Sequence, residues 1–278
     1  MRSLAACLLI VTSLLAGDAL AQRGGGGGGG FARGAQNGQR GGEATPPGTE
    51  TRSYFFEPTG TQMKYAAFVP RKLDKGKPAP LVILLHSYNV TPESMLGSFT
   101  AAADRHGYII AAPTGYTLGG WYGYSGQNGS ATDPETARLS ELDVMNVLGI
   151  MRAAYNIDPR RIYIAGHSMG GFGAVYLAIR HPDIWAAVGA MSPGFTPAAM
   201  EVINTYGTIP VVVEHGDKDE VIPVNLVRGW VARLAQRKVP LKYYEYTGGT
   251  HTAPLQGGAD KVLEFFDKYS KPEAEPAP

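Results

Sequence analysis

Past residue 7 the sequence contains no cysteine, and Cys7 is the only one in 278 residues. An intramolecular disulfide, a thiolate nucleophile beyond that position and a Cys-based zinc site are all excluded. Stability must come from an ordinary apolar core, and the length is ample for one. An excess of one charge is also missing: the formal net charge is +1. No broad basic field is available to hold nucleic acid, so none is expected as a partner. There is no His-Glu-x-x-His spacing and no phosphate-cradling glycine motif between strand and helix, so neither metal nor cofactor is expected. The N-terminal apolar run, Leu4 to Gly17, falls short of the roughly 20 residues that cross a bilayer as a helix.

That run has another use. Arg2 gives a short basic start, and Ala19-Leu20-Ala21 supplies a small-x-small cleavage site. This is the layout of a secretory signal peptide over residues 1–21. Export to the periplasm or the extracellular space is expected, with no stable membrane insertion after cleavage and with Cys7 lost. Residues 22–49 include "RGGGGGGGFARGAQNGQRGG" and read as a flexible linker, since glycine offers no side chain to pack. The alternative is a nucleic-acid-binding segment through Arg23, Arg33 and Arg40, which export and the balanced charge oppose. The tail 271–278, "KPEAEPAP", reads as disordered. Residues 50–270 remain as one folded domain.

Within that domain strands and helices alternate. "SYFFEPTGTQMKYAAFVP" reads as a hairpin around Pro58-Thr59-Gly60. "APLVILLHS", "YIIAAPTG" and "RIYIAG" are buried-strand runs, followed later by "AAVGAMSP", "IPVVVEHG" and "LKYYEYTG". Helices are predicted over 95–106, through Leu139 to Met151, and over 170–180, 196–206, 224–237 and 260–269. Trp185 and Trp230 read as core. Alternation of this kind predicts a doubly wound, mostly parallel α/β sheet with helices on both faces. Working residues should then lie just beyond the carboxyl ends of strands.

Gly166-His167-Ser168-Met169-Gly170 matches the G-x-S-x-G pattern in which a serine sits on a sharp strand-to-helix turn. Glycine is abundant, and residue frequencies give roughly 0.2 chance matches in a chain of this composition. The context carries the weight: a β-branched and aromatic strand precedes the match and an Ala-rich helix follows. A serine hydroxyl needs a base within hydrogen-bond reach. Among six histidines, His106 and His181 read as surface residues near helix ends, and His86 and His215 end strands. His251, in "YTGGTHTAP" after the last strand, completes the order Ser…Asp…His and is the preferred base. Asp219 is the preferred acid and Asp217 the alternative, because Asp217 more naturally closes a turn. Its task would be to hold the His251 tautomer. The backbone N–H of Met169 is one candidate oxyanion donor, and Ser87 or Tyr88 the other. Asp143 is a candidate brace nearby.

"PLVILLHSYN", "NIDPRRIYIAGHSMGGFGAVYLAIRHPDIWAA", "VEHGDKDEVIPV" and "GGTHTAP", in this order, resemble an α/β-hydrolase. The nearest resemblance is to secreted esterases of the feruloyl esterase, acetylxylan esterase and polyhydroxyalkanoate depolymerase group. It implies Ser168, Asp219 and His251 as the triad of a serine carboxylesterase, with no cofactor. One departure is that the group usually has His-Gly after the first central strand, where this chain has His86-Ser87.

The loop "PTGYTLGGWYGYSGQNG" should overhang the site. Tyr116, Trp121, Tyr122 and Tyr124, with His86 and His167, are therefore candidate substrate contacts for small-molecule or polymeric esters. The alternative is that the rings only pack the loop to the body. Too few residues separate "MSPGF" from "IPVVVEHG" for a lid domain. The competing functional readings are a prolyl oligopeptidase-type serine peptidase and a non-catalytic surface-binding protein on the same fold.

Overall fold

The computed structural model describes residues 48–126 and 133–273. The expected signal peptide, all but the end of the linker, and residues 274–278 of the tail lie outside them. The first strand begins at Thr49, one residue before the expected boundary. The expectation of a disordered tail from Lys271 needs correcting at its start. The Lys271 N–H donates to the Arg160 carbonyl at 2.9 Å, and the Arg160 guanidinium returns a bond to the Lys271 carbonyl.

Eight strands form one sheet: β1 (Thr49–Phe56), β2 (Thr61–Phe68), β3 (Ala79–Leu85), β4 (Ile109–Pro113), β5 (Ile157–His167), β6 (Val188–Met191), β7 (Val211–Gly216) and β8 (Leu241–Tyr246). Their order across the sheet is β1-β2-β4-β3-β5-β6-β7-β8. β1 and β2 form the expected hairpin, and β2 pairs antiparallel with β4. From β4 to β8 every pairing is parallel. β3 is buried along its whole length because both of its faces are covered. Its side chains alternate: Leu81, Ile83 and Leu85 enter one core, Val82 and Leu84 the other.

On the first face lie α3 (Pro134–Ala154), α4 (Met169–Arg180) and α6 (Val224–Gln236). They contribute Val144, Val147, Phe172, Val175, Val227 and Trp230 to the core. On the second face lie α1 (Pro92–Gly97), α2 (Thr100–His106) and α7 (Gly258–Phe266), through Met95, Leu96, Ala103 and Phe266. The helix predicted over 95–106 is thus two short helices. Thr91 caps α1 through its side chain, and Phe99 is buried at the junction, where the chain turns to keep apolar residues on the sheet. The helix predicted over 196–206 shrinks to α5 (Met200–Ile203). Trp185 and Trp230 are core residues as predicted, Trp185 from the irregular connection between α4 and β6.

Candidate active site

Ser168 follows β5 and opens α4 with φ 56° and ψ −117°, a backbone region that L-residues avoid. Main-chain bonds hold it there. The Ser168 N–H donates to the Met191 carbonyl at 2.9 Å, and the Ser168 carbonyl accepts from Phe172 and Gly194 at 3.0 and 2.8 Å. The flanking glycines are there for space. A Cβ on Gly166 would lie 2.4 Å from the Gly170 main chain, and one on Gly170 would lie 2.1 Å from the Leu85 carbonyl oxygen. Only without those carbons can α4 approach β3 closely enough to lift residue 168 out of the sheet. The 12-residue α4 points its N-terminus at the turn, so its dipole favours negative charge beside Ser168.

The loops after β7 and β8 meet over this turn. The Lys218 N–H donates to the Gly249 carbonyl at 2.9 Å, and a Cβ on Gly216 would come within 2.1 Å of the same oxygen. This contact brings Asp219 and His251 together: Oδ2 of Asp219 lies 2.8 Å from Nδ1 of His251. Oδ1 accepts from the N–H groups of Val221 and Ile222, each at 2.8 Å. Burial alone would raise the Asp219 pKa. The bonds from Ile222, His251 and Val221 outweigh it and hold the carboxyl below its ordinary value. An ionised carboxylate only accepts, so Nδ1 of His251 carries the proton and Nε2 is left as the acceptor. Asp217 instead accepts from the Gly248 N–H at 2.6 Å, closing the turn into the β8 loop.

Two buried histidines that the sequence reading did not use in these roles, His215 and His167, support the pair, and Asp143 takes the bracing role expected of it near the site. His215 on β7 is fully buried, with Nε2 3.2 Å from Oδ2 of Asp219 and 3.0 Å from the Ile222 carbonyl. Both neighbours are acceptors, so Nε2 carries the proton. Burial pushes the His215 pKa down, which keeps the ring neutral. Asp143 on α3, also buried, accepts from the N–H groups of Gly115 and Tyr116 at 2.6 and 3.2 Å and from the Tyr54 hydroxyl. It braces the aromatic loop. Ser87 bonds through Oγ to Nδ1 of His167 at 2.7 Å, and Nε2 of His167 lies 2.8 Å from the His251 carbonyl. Since that carbonyl must accept, Nε2 is protonated and the Ser87 hydroxyl donates to Nδ1. Burial lowers the His167 pKa to about 4, so the ring is neutral around pH 7. Ser87, the departure from the usual glycine, therefore ties the loop after β3 to the main chain of His251.

In that loop the N–H groups of Asn89 and Val90 are taken by the carbonyls of Leu118 and Ser87. Those of Ser87 and Tyr88 remain as candidate donors, with that of Met169 at the first turn of α4. Ser168, His251, His167, Ser87 and Tyr88 line one cavity of about 360 Å³. A larger cavity, about 730 Å³, lies at the amino ends of β3, β4 and β5 and contains none of the candidate residues.

The expected substrate contacts need correcting. His86 and Tyr122 are fully buried. Both ring nitrogens of His86 lie 2.8 Å from carbonyl oxygens, those of Ser87 and Thr114, and the Tyr122 hydroxyl donates to the His86 carbonyl at 3.0 Å. These side chains build the loop and cannot reach a substrate. Tyr116 packs on Phe56, while Trp121 and Tyr124 pack on Phe172. None of the four aromatics lines the cavity shared by Ser168 and His251. Positive φ at Gly115, Tyr116, Trp121, Tyr122 and Gly123 folds the loop back on the body. His167 does line the cavity, with both nitrogens already engaged. Among the described residues no group of three or more His, Cys, Asp or Glu is arranged to hold a metal ion.

Comparison with known proteins agrees with this architecture. The profile of the Esterase family matches residues 57–254. S-formylglutathione hydrolase of Mus musculus is 23% identical over 234 residues, covering 69% of this chain and 83% of its own length. Feruloyl esterase B of Talaromyces funiculosus is 26% identical over 226 residues, covering 79% of this chain and 58% of its own. Among solved structures, a thermostable esterase superposes with a TM-score of 0.64 at 22% identity, over 82% of this chain and 64% of that one. The fold is that of the α/β-hydrolases.

Proposed function

The chain belongs to the Esterase family and is a carboxylic ester hydrolase, and from that premise we propose that Ser168, His251 and Asp219 carry the reaction. The observation behind the proposal is the 2.8 Å bond from His251 to a buried Asp219 on the rim of the cavity that exposes Ser168. Ser168 Oγ attacks the ester carbonyl carbon while its proton passes to Nε2 of His251. Asp219 stabilises the imidazolium without taking the proton. The N–H groups of Met169 and of Ser87 or Tyr88 hold the tetrahedral oxyanion. Collapse expels the alcohol, which takes the proton from His251. Water, deprotonated by the same imidazole, then splits the acyl-enzyme, and the acid leaves with Ser168 restored.

Phenolic, polysaccharide-linked or polyester substrates are the proposed range. The cavity lining includes no Lys or Arg that would hold the carboxylates of a charged leaving group. No helix among the described residues is long and apolar enough to cross a membrane. Export through residues 1–21 is part of the proposal. Its test is the chain length of the secreted protein, which should begin at Gln22; a protein retained with Met1 in the cytoplasm contradicts it.

Ser168→Ala and Asp219→Asn test the chemistry on p-nitrophenyl acetate. The first should lose at least three decades of kcat, and the second at least two, both with the thermal midpoint kept within a few degrees. Wild-type turnover in Ser168→Ala overturns the assignment.

A further inference from the structure

The lining of the cavity at Ser168 reaches beyond the nucleophile and its immediate neighbours. Tyr88 and Val90 of the oxyanion loop, Ser94 and Met95 of α1, and Leu255 at the end of the short 3-10 helix Ala253–Leu255 belong to it. The lining is mostly hydrocarbon, and its polar members are hydroxyls and the two histidines. Met95 is buried, Leu255 half-buried, and the Tyr88 ring is 57% exposed at the mouth, where it lies against Gly119. The Glu220 carboxylate accepts from the His251 N–H at 3.4 Å, and Asp219 Oδ2 lies 2.8 Å from Nδ1 of His251.

We propose that this cavity is an acyl pocket for uncharged, apolar acyl groups, and that Leu255 and Met95 set the length it accepts. The proposal rests on the esterase reading of Ser168 above. The same lining includes Ser87 and Tyr88 of the loop that would hold the ester carbonyl, so the group bonded to that carbonyl carbon enters first. The acyl group also stays attached through both half-reactions, whereas the alcohol must leave after the first. At about 360 Å³ the cavity is near the lower end of small-molecule pockets, which run from about 300 to 1,000 Å³. That suits a short aliphatic chain or a single aromatic ring. An acyl group carrying a carboxylate would lose hydration against Met95 and Leu255, with no Lys or Arg in the lining to receive it.

The test is kcat/KM of the full secreted chain across p-nitrophenyl esters from acetate to dodecanoate. Parallel arms use acetate esters of alcohols of increasing length, and the mono-p-nitrophenyl ester of succinate. The pocket predicts a rise of about fourfold per methylene from acetate to butyrate, then a plateau or fall well before dodecanoate. It also predicts succinate at least a hundredfold below butyrate. Leu255→Trp and Ser94→Trp, both entering from the partly open rim, should each lower the ratio of hexanoate to acetate by tenfold or more. Leu255→Ala should raise it. A ratio that neither bulky variant moves, in protein that melts as the wild type does, overturns the pocket. So does a length dependence that follows the alcohol series instead. Those outcomes leave Ser168 in place as nucleophile, whereas a wild type inert toward every ester would overturn both assignments.

Discussion

At the scale of single residues, the proposed nucleophile Ser168 is also a point of backbone strain. Its φ of 56° is a conformation that glycine adopts freely and that costs other residues about 1–3 kcal/mol. Ser168→Gly should therefore be more stable than Ser168→Ala by about 1 kcal/mol, a rise of about 2–4 °C in melting midpoint for a domain of this size, while both should be inactive on the proposed mechanism. Equal midpoints would mean that the turn is unstrained. Ser168, Asp219 and His251, the proposed triad, stood out as candidates in the sequence because each sits in a short motif at a strand end. Their supporting residues were not. His215 reads as one more strand-end histidine, and only the chain's return at Ile222 shows that it backs Asp219. His167 lies beside the nucleophile in sequence, yet its partners, Ser87 and the His251 carbonyl, lie 80 and 84 positions away. His86 looked available because it ends a strand, and Tyr122 because loop residues usually are. The burial of Tyr122 follows from left-handed backbone at residues 115–116 and 121–123, which residue identity predicts only for glycine.

At the scale of elements, the β5–turn–α4 unit depends on two missing side-chain carbons. Gly170→Ala places a Cβ 2.1 Å from the Leu85 carbonyl oxygen, a backbone atom that cannot swing aside. The change should destabilise the protein by about 3 kcal/mol or more, visible in urea unfolding, and should lower activity with it. Ala at Gly149, exposed in α3 with nothing within 4 Å of the added carbon, should be neutral or stabilising by up to about 1 kcal/mol in the same experiment. Equal effects at the two sites would contradict the packing described for the turn. Most of the parallel strands were legible as apolar runs, whereas their order across the sheet, with β3 between β4 and β5, was not read from the sequence. The division of 95–106 into α1 and α2 was not. Its apolar residues keep a helical spacing across Ser98–Phe99, and the break shows only where Phe99 turns into the core.

At the scale of the whole molecule, two buried groups tilt stability in opposite directions with pH. Glu214 is fully buried on β7, accepts from Tyr246 at 2.6 Å, and is pushed up to about 7, chiefly by burial. Between its ordinary value of about 4.3 and 7 the folded state holds a proton that the unfolded chain has released. Stability from this group is therefore lost as pH rises through that window. His167 is displaced the other way, from about 6.5 to about 4, so between those values the unfolded chain binds the extra proton and stability rises with pH. The two slopes offset each other from about pH 4.5 to 6.5. Glu214→Gln keeps an acceptor for Tyr246 and removes one slope. Its stability relative to wild type should grow between pH 4.5 and 7, by on the order of 3 kcal/mol. A difference that does not change with pH would mean that Glu214 is ionised in the fold.

The central claim is that the chain's hydrolytic power resides in one hydroxyl activated by His251. The most direct measurement is labelling of the protein with a fluorophosphonate, followed by mass spectrometry of its peptides, for the wild type and for His251→Ala. One phosphonyl group should attach to Ser168 in the wild type, at least a thousandfold faster than in the variant. Labelling at any other residue, or at Ser168 with the same rate in both proteins, would contradict it.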